Sequence, residues 1–201
     1  RPEAGWGHGV RLRAFSRAPA FQTMAFDTEQ EPGVTADRPA ASRGFTLNHS
    51  MLRVKDPAVS LAFYTGVLGM RLLRKLDFPE MKFSLYFLAR VDDEEAVPED
   101  VSERTVWTFR QRGILELTHN WGTESDEAFK YHDGNAQPQG FGHICFSVPD
   151  LAAAVAWFDA QGVTYVKRPE QGKMRHVAFI KDPDGYWIEI VQPDLLGGLG
   201  R

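Results

Sequence analysis

The chain has 201 residues, 43% of them hydrophobic, enough to bury one large core or two small ones. Its formal charge of −4, with both signs interspersed, excludes a nucleic-acid footprint, and no apolar run approaches the ~18 to 20 residues a membrane span needs. Cys145 stands alone, so an intramolecular disulfide is excluded, and a soluble protein of the reducing cytoplasm is expected.

Residues 1–44 carry scattered Pro, Gly, Ala and charge without a sustained period, and are expected to form an extended arm, partly non-native or disordered. Arg1 is not an initiator, whereas Met24-Ala25 fits a translation start. Residues 1–23 then read as vector-derived or upstream sequence, although their four arginines against the single acid Glu3 also fit a transit peptide.

A periodic pattern begins at Phe45. His49 to Val54 is strand-like, and Asp56-Pro57 follows as a helix N-cap with proline at the first helical position. Val59, Leu61, Phe63, Tyr64 and Leu68 supply an apolar helix face, with Gly69 as the stop. Strand-like runs cover Met70 to Lys75, Phe83 to Ala89, Val106 to Arg110 and Ile114 to Thr118. An insertion from Arg90 to Arg104 carries the run Asp92-Asp93-Glu94-Glu95, which reads as a solvated loop. Residues 123–139 read as a linker. From His143 the pattern repeats: His143 to Val148 is a strand, Asp150 a cap, and Leu151, Val155, Trp157 and Phe158 a helix face ended by Gly162. Val163 to Lys167 is strand-like. A hairpin then joins His176–Ile180 to Tyr186–Val191 through the turn Asp182-Pro-Asp-Gly185. The two modules are 45–122 and 140–195, with a tail at 196–201.

With His49 set against His143, Val54 meets Val148, Asp56 meets Asp150, Phe63 meets Trp157 and Tyr64 meets Phe158. Leu115-Glu116-Leu117 meets Ile188-Glu189-Ile190. Each half reads β-α-β-β-β, an α+β fold that opens on a strand with His and closes on a strand with Glu. Glu189 shares a strand face with Trp187 and Val191, so it either faces water on an edge strand or is desolvated, paired or metal-bound. Two histidines and two glutamates at matching places favour a metal. Four N/O ligands suit Zn²⁺, Ni²⁺ or Co²⁺ and leave room for waters or substrate.

The strings His49 to Pro57, Phe63 to Met70, Asp77 to Phe87, Leu115 to Gly122, Gly140 to His143 and Asp182 to Glu189 together resemble the glyoxalase I family, over about Phe45 to Pro193. That resemblance implies the vicinal-oxygen-chelate fold, with paired βαβββ modules whose curled sheets surround one metal. It implies isomerisation of the glutathione–methylglyoxal hemithioacetal to S-lactoylglutathione, with glutathione as co-substrate, in methylglyoxal detoxification. The implied ligands are His49, Glu116, His143 and Glu189. Glu189 would be the main base and Glu116 a second carboxylate able to act on the other substrate stereoisomer. Chemically this is coherent, because an ion holding both substrate oxygens stabilises the enediolate and a carboxylate loosened from it becomes a stronger base. The resemblance also implies a homodimer, each site built from His49 and Glu116 of one subunit and His143 and Glu189 of the other.

Glutathione contacts are implied for Arg53, Asn120, Lys167 and the backbone around Met174; ordinary surface charge is the other reading of Arg53 and Lys167. Leu76, Phe78, Met81, Leu85, Phe87 and Phe109 match positions lining the family's substrate pocket, or else are plain core. His49, the usual residue in short nickel-type bacterial enzymes, stands where many eukaryotic members have glutamine, whereas the insertion and arm resemble the zinc type; Zn²⁺ is expected, with Ni²⁺ or Co²⁺ as the alternative. Gln139 stands where an arginine that holds glutathione is common. Related chemistries on this fold are the extradiol dioxygenases, which the fourth ligand Glu116 argues against, the acyl-thioester epimerases, which have no need of Arg53 and Asn120, and metal-free sequestering proteins.

Overall fold

The computed structural model describes residues 31–35, 39–92 and 94–198. The expectations for residues 1–30, Met24 among them, for 36–38, for Asp93 and for 199–201 of the tail lie outside the described residues. The chain divides into a unit Arg1–Phe45, whose described element is a 3-10 turn at Ala40–Ser42, and a unit Thr46–Arg201 that carries both modules.

Caps and stops fall where the sequence puts them. Strand β1 (His49–Val54) leads into helix α1 (Pro57–Gly66), whose first turn is capped by the Asp56 carboxylate accepting from the Ala58 amide at 2.8 Å. Such a cap contributes about 1 kcal/mol. After α1 the Met70 amide returns to the Tyr64 carbonyl, which requires the positive φ of +67° that Gly69 supplies. Strands β2 (Arg71–Phe78) and β3 (Phe83–Ala89) form a hairpin, and β4 (Ile114–Asn120) closes the module. The repeat follows in β5 (His143–Ser147), α3 (Leu151–Ala160), β6 (Tyr165–Lys167), β7 (Val177–Lys181) and β8 (Trp187–Val191).

One expectation fails. Val106 to Arg110 is not a strand but the end of helix α2 (Val101–Arg110), between β3 and β4. Valine, tryptophan and phenylalanine made the run strand-like, but the cap decides: the Asp100 carboxylate accepts from the Glu103 amide at 2.9 Å, with Arg110 in the last turn. The first module is therefore a βαβββ unit with a helix inserted before its closing strand.

Both sheets have one plan. Their strand orders are β1-β4-β3-β2 and β5-β8-β7-β6, with the first pair of each parallel and the others antiparallel. The helix-side faces of both sheets and helices α1 and α3 share one core, including Leu52, Val54, Tyr64 and Leu117 from the first module and Phe158, Ile180, Ile188 and Ile190 from the second. Each such side chain contributes about 1.5–3 kcal/mol on burial. Tyr64 and Phe158, matched by the repeat, are both fully enclosed, and the Trp157 indole on α3 donates to the Val67 carbonyl beyond α1. A second cluster lies elsewhere: Leu73, Phe87, Ala89, Val91 and Ile114, packed by Trp107 of α2.

The Asp-Pro-Asp-Gly turn between β7 and β8 does more than reverse the chain. Asp182 accepts from the Asp184 and Tyr186 amides through Oδ1 and from the Tyr64 hydroxyl through Oδ2 at 2.8 Å. Asp184 accepts from the Lys55 amide at 3.0 Å and from the Ser60 hydroxyl. Two carboxylates of the second module thus fasten its hairpin to the β1–α1 junction of the first. Burial pushes the Asp182 carboxyl up to about 6, against the opposing bond from Tyr64.

Candidate metal centre

Cross-strand register sorts the residues of the faces opposite the shared core into rows, because directly paired residues project to the same side. On the first sheet, one row is Met51–Glu116–Phe87 and the next is Arg53–Thr118–Leu85–Leu76, followed by Asn120–Phe83–Phe78. On the second sheet, the corresponding rows are Cys145–Glu189–Phe179–Lys167 and Ser147–Val191–Val177.

In the first module His49 Nε2 lies 3.1 Å from Glu116 Oε2, with the carboxylate mostly buried at 13% exposure. His49 Nδ1 lies 2.8 Å from Asn48 Oδ1. The Asn48 amide nitrogen already donates to the Thr108 and Gln111 carbonyls at the end of α2, so Oδ1 is the acceptor and Nδ1 carries the proton. Helix α2 therefore sets the tautomer of His49 through Asn48. The ring is also packed edge-on by Phe87 and Phe109, at 5.8 and 6.3 Å between centroids. Thr118 donates to Glu116 Oε1 at 3.0 Å.

In the second module His143 Nε2 lies 3.3 Å from Glu189 Oε2, with Glu189 20% exposed and Phe179 edge-on to the ring at 5.3 Å. Glu189 is neither on an open edge nor fully desolvated. Burial and the facing Glu189 carboxylate push the Cys145 thiol up to about 11. The Trp187 Nε1, on the same face, is buried without a hydrogen-bond partner among the described residues.

Each half therefore holds one imidazole and one carboxylate in contact. With Nδ1 donating to Asn48, Nε2 of His49 presents its lone pair toward the Glu116 carboxylate, and a cation between the two would satisfy both. Two ligands on one ion, each about 2.0 to 2.2 Å from it, stand about 3 Å apart, so the donor chemistry fits a borderline divalent ion. The structure does not bring the four residues together within one chain: among the described residues, no group of three or more His, Cys, Asp or Glu could hold a metal.

The other expected contacts are scattered along the same faces. Arg53 lies on the first sheet one row beyond Glu116, and Asn120 two rows beyond it; the Asn120 amide donates to the Tyr131 hydroxyl at 3.0 Å. Lys167 shares the Glu189 row, and its ammonium donates to the Met174 and Val177 carbonyls at 2.6 and 3.0 Å, which brings Lys167 and the Met174 backbone together. Leu76 and Leu85 pack against the Phe87 cluster, Phe78 stacks on Phe83 at 4.7 Å, and Met81 and Phe109 are exposed. Gln139 is exposed, 3.5 Å from the Asn135 carbonyl. Its loop folds back at Gly134, whose backbone meets Phe141 so closely that a Cβ there would sit 1.8 Å from the Phe141 carbonyl oxygen. Asn48, Thr118 and Phe179 went unnoticed in the sequence; strand register makes Phe179 the partner of Glu189 as Phe87 is of Glu116. His119, in the same string as Glu116, faces away and contacts Glu124 at 2.7 Å.

A cleft of about 640 Å³ runs beside the edge strands β1 and β5, with Ser50, Ile114, His143, Cys145, Phe146 and Trp157 among its walls.

Residues 46–190 match the Glyoxalase/Bleomycin resistance protein/Dioxygenase superfamily, and the chain belongs to it. It is 58% identical over 178 residues to the lactoylglutathione lyase of Pseudomonas aeruginosa, a match covering 89% of this chain and 99% of that protein. Over 167 residues it is 56% identical to the lactoylglutathione lyase of Pseudomonas putida, covering 83% and 96%. Among solved structures it resembles the trypanothione-dependent glyoxalase I of Leishmania major, with 31% identity, a TM-score of 0.57 and coverage of 76% and 89%.

Proposed function

We propose that this chain is a lactoylglutathione lyase whose ion is held by His49, Glu116, His143 and Glu189. The observation that carries the reading is the pair of equivalent half-sites, each a His and a Glu within 3.3 Å on matching strands. Zn²⁺ is the preferred ion, with Ni²⁺ or Co²⁺ as the alternative. When bound, it supplies Lewis-acid stabilisation of the charge that develops on the substrate's vicinal oxygens.

The chain's own residues do the rest. Glu189 takes the proton from the hemithioacetal carbon that bears the hydroxyl and sulfur, then returns it to the neighbouring former carbonyl carbon, giving the thioester with no net loss of protons. Glu116 is placed to serve the opposite stereoisomer. Phe87 and Phe179 shield the two imidazole–carboxylate pairs, where exclusion of water strengthens both ligand and base. Arg53, Asn120 and Lys167 offer cations and an amide to the carboxylates of glutathione in the cytoplasm.

The complete site is shared between two copies of the chain. The helix-side faces are used by the common core, whereas the ligand faces and the edges of β1 and β5 have no partner strand among the described residues. Chelation should abolish formation of the thioester, followed by its absorbance with glutathione and methylglyoxal, and a divalent ion should restore it. Full activity in protein shown metal-free by elemental analysis would remove the reading. Sharing is tested by complementation. Variants carrying His49→Ala with Glu116→Gln, and His143→Ala with Glu189→Gln, are unfolded and refolded together. Each mixed dimer then holds one intact site, and about a quarter of wild-type activity should return by twofold pairing. A mixture as inactive as its parents would place the whole site in one chain.

A further inference from the structure

The repeat gives each module a carboxylate in the same place, yet the two are not held alike. Glu116 contacts His49 and also accepts a hydrogen bond from Thr118, two residues on along β4 and on the same face. The matching position after Glu189 is Val191, which has threonine's shape but no donor. Val191 lies in the row next to Glu189, between Ser147 and Val177, so it occupies the place from which Thr118 holds Glu116. Glu189 faces instead the thiol of Cys145, a weak donor. The difference extends to the histidines. Asn48 anchors His49, while among the described residues no hydrogen bond reaches Nδ1 of His143.

We propose that Thr118 is a positioning residue that holds Glu116 to the ion more firmly than Glu189 is held, so that the main proton transfer falls to Glu189 and Glu116 serves only the opposite stereoisomer, more slowly. This rests on the reading that both carboxylates bind the ion. A carboxylate must loosen from the ion to take a proton, and one tethered by a second hydrogen bond loosens less readily. A hydrogen bond to a charged group shifts such a balance by on the order of tenfold. Glu189, faced only by the weak thiol donor, is therefore the more movable base, and the hydroxyl of Thr118 sets the two duplicated glutamates apart.

Isosteric exchanges test this without emptying the core. Thr118→Val should weaken Zn²⁺ affinity of the apoprotein by about tenfold in chelator competition, a readout independent of turnover, and Thr118→Ser should restore it. Val191→Thr should tether Glu189 and lower kcat by about tenfold with KM little changed. The decisive background is Glu189→Gln, where residual turnover falls to Glu116; adding Thr118→Val should raise that residual kcat by about tenfold. Unchanged zinc affinity in Thr118→Val, an unchanged kcat in Val191→Thr, or no gain in the double variant would each overturn the proposal. Failure of the underlying reading looks different: Glu189→Gln alone would keep near-normal turnover.

Discussion

Replacing Tyr64 with Phe removes one oxygen from the core and tests the fastening of the Glu189 hairpin. The Tyr64 hydroxyl is fully buried and donates at 2.8 Å to Asp182, itself only 5% exposed. A hydrogen bond to a buried charged group contributes about 1.5–3 kcal/mol, which in a chain of this size corresponds to roughly 3–12 °C in Tm. The pH dependence identifies the partner. Burial holds the Asp182 pKa at about 6 in the native protein, above its unfolded value. The native state therefore binds more protons than the unfolded chain between about pH 4 and 6, and stability falls as pH rises through that window. Tyr64 opposes this by stabilising the carboxylate; without it the native pKa rises further and the loss is complete only above about pH 6. Urea unfolding of metal-free wild type and Tyr64→Phe at equal protein concentration should differ most at about pH 7.5 and by less than about 1 kcal/mol at about pH 4.5. Asp182→Asn should flatten the window, since an amide oxygen can still accept from the Asp184 and Tyr186 amides. A Tyr64→Phe deficit equal at both pH values would assign the cost to packing and refute the role of the ionised carboxylate.

Other outcomes follow from the same contacts. Glu189→Gln should lower kcat far more than affinity for a glutathione analogue, because an amide can touch the ion but accepts no proton; a near-normal kcat would move the base to Glu116. Asn48→Leu should weaken metal affinity by about tenfold or more by releasing the His49 ring, and calorimetric titration showing no change would mean that α2 does not reach the metal site. Gln139→Arg should lower KM for the glutathione substrate through a charge-assisted contact, and an unchanged KM would mean another cation already fills that place.

The doubled pattern was legible because it is local: caps at Asp56 and Asp150, glycine stops, and strands whose faces alternate. Alignment of the halves set His49 against His143 and Glu116 against Glu189 from the sequence alone. Helix α2 was hidden because its second half is rich in β-formers and its cap lies at Asp100, inside the insertion and past the acidic run read as loop. The hairpin turn was recognised as a turn, but not its anchoring role, since Tyr64 lies 118 residues from Asp182 and Lys55 lies 129 from Asp184. Lys167 was matched to a glutathione contact; that its ammonium also donates to the Met174 and Val177 carbonyls depends on a loop fold no spacing encodes.

Where the two copies diverge is more informative than where they agree. Shared positions, from the core tyrosine–phenylalanine pair to the edge-on phenylalanines, supply what both halves need: packing and a shielded His–Glu contact. Three differences tighten the first half. Asn48 precedes His49 where Gly142 precedes His143, Thr118 stands against Val191, and α2 has no counterpart after β7. Exposure follows the same order, with Glu116 at 13% against Glu189 at 20%, and His49 at 34% against His143 at 40%. A proton shuttle between adjacent carbons requires one carboxylate that moves and an ion that does not. A symmetric site with both glutamates loose would let the ion shift with the base, and one with both tethered would have no base. In the proposed site, anchoring His49 and Glu116 in one half while leaving the hairpin glutamate freer to move in the other would reconcile the two demands within a duplicated fold.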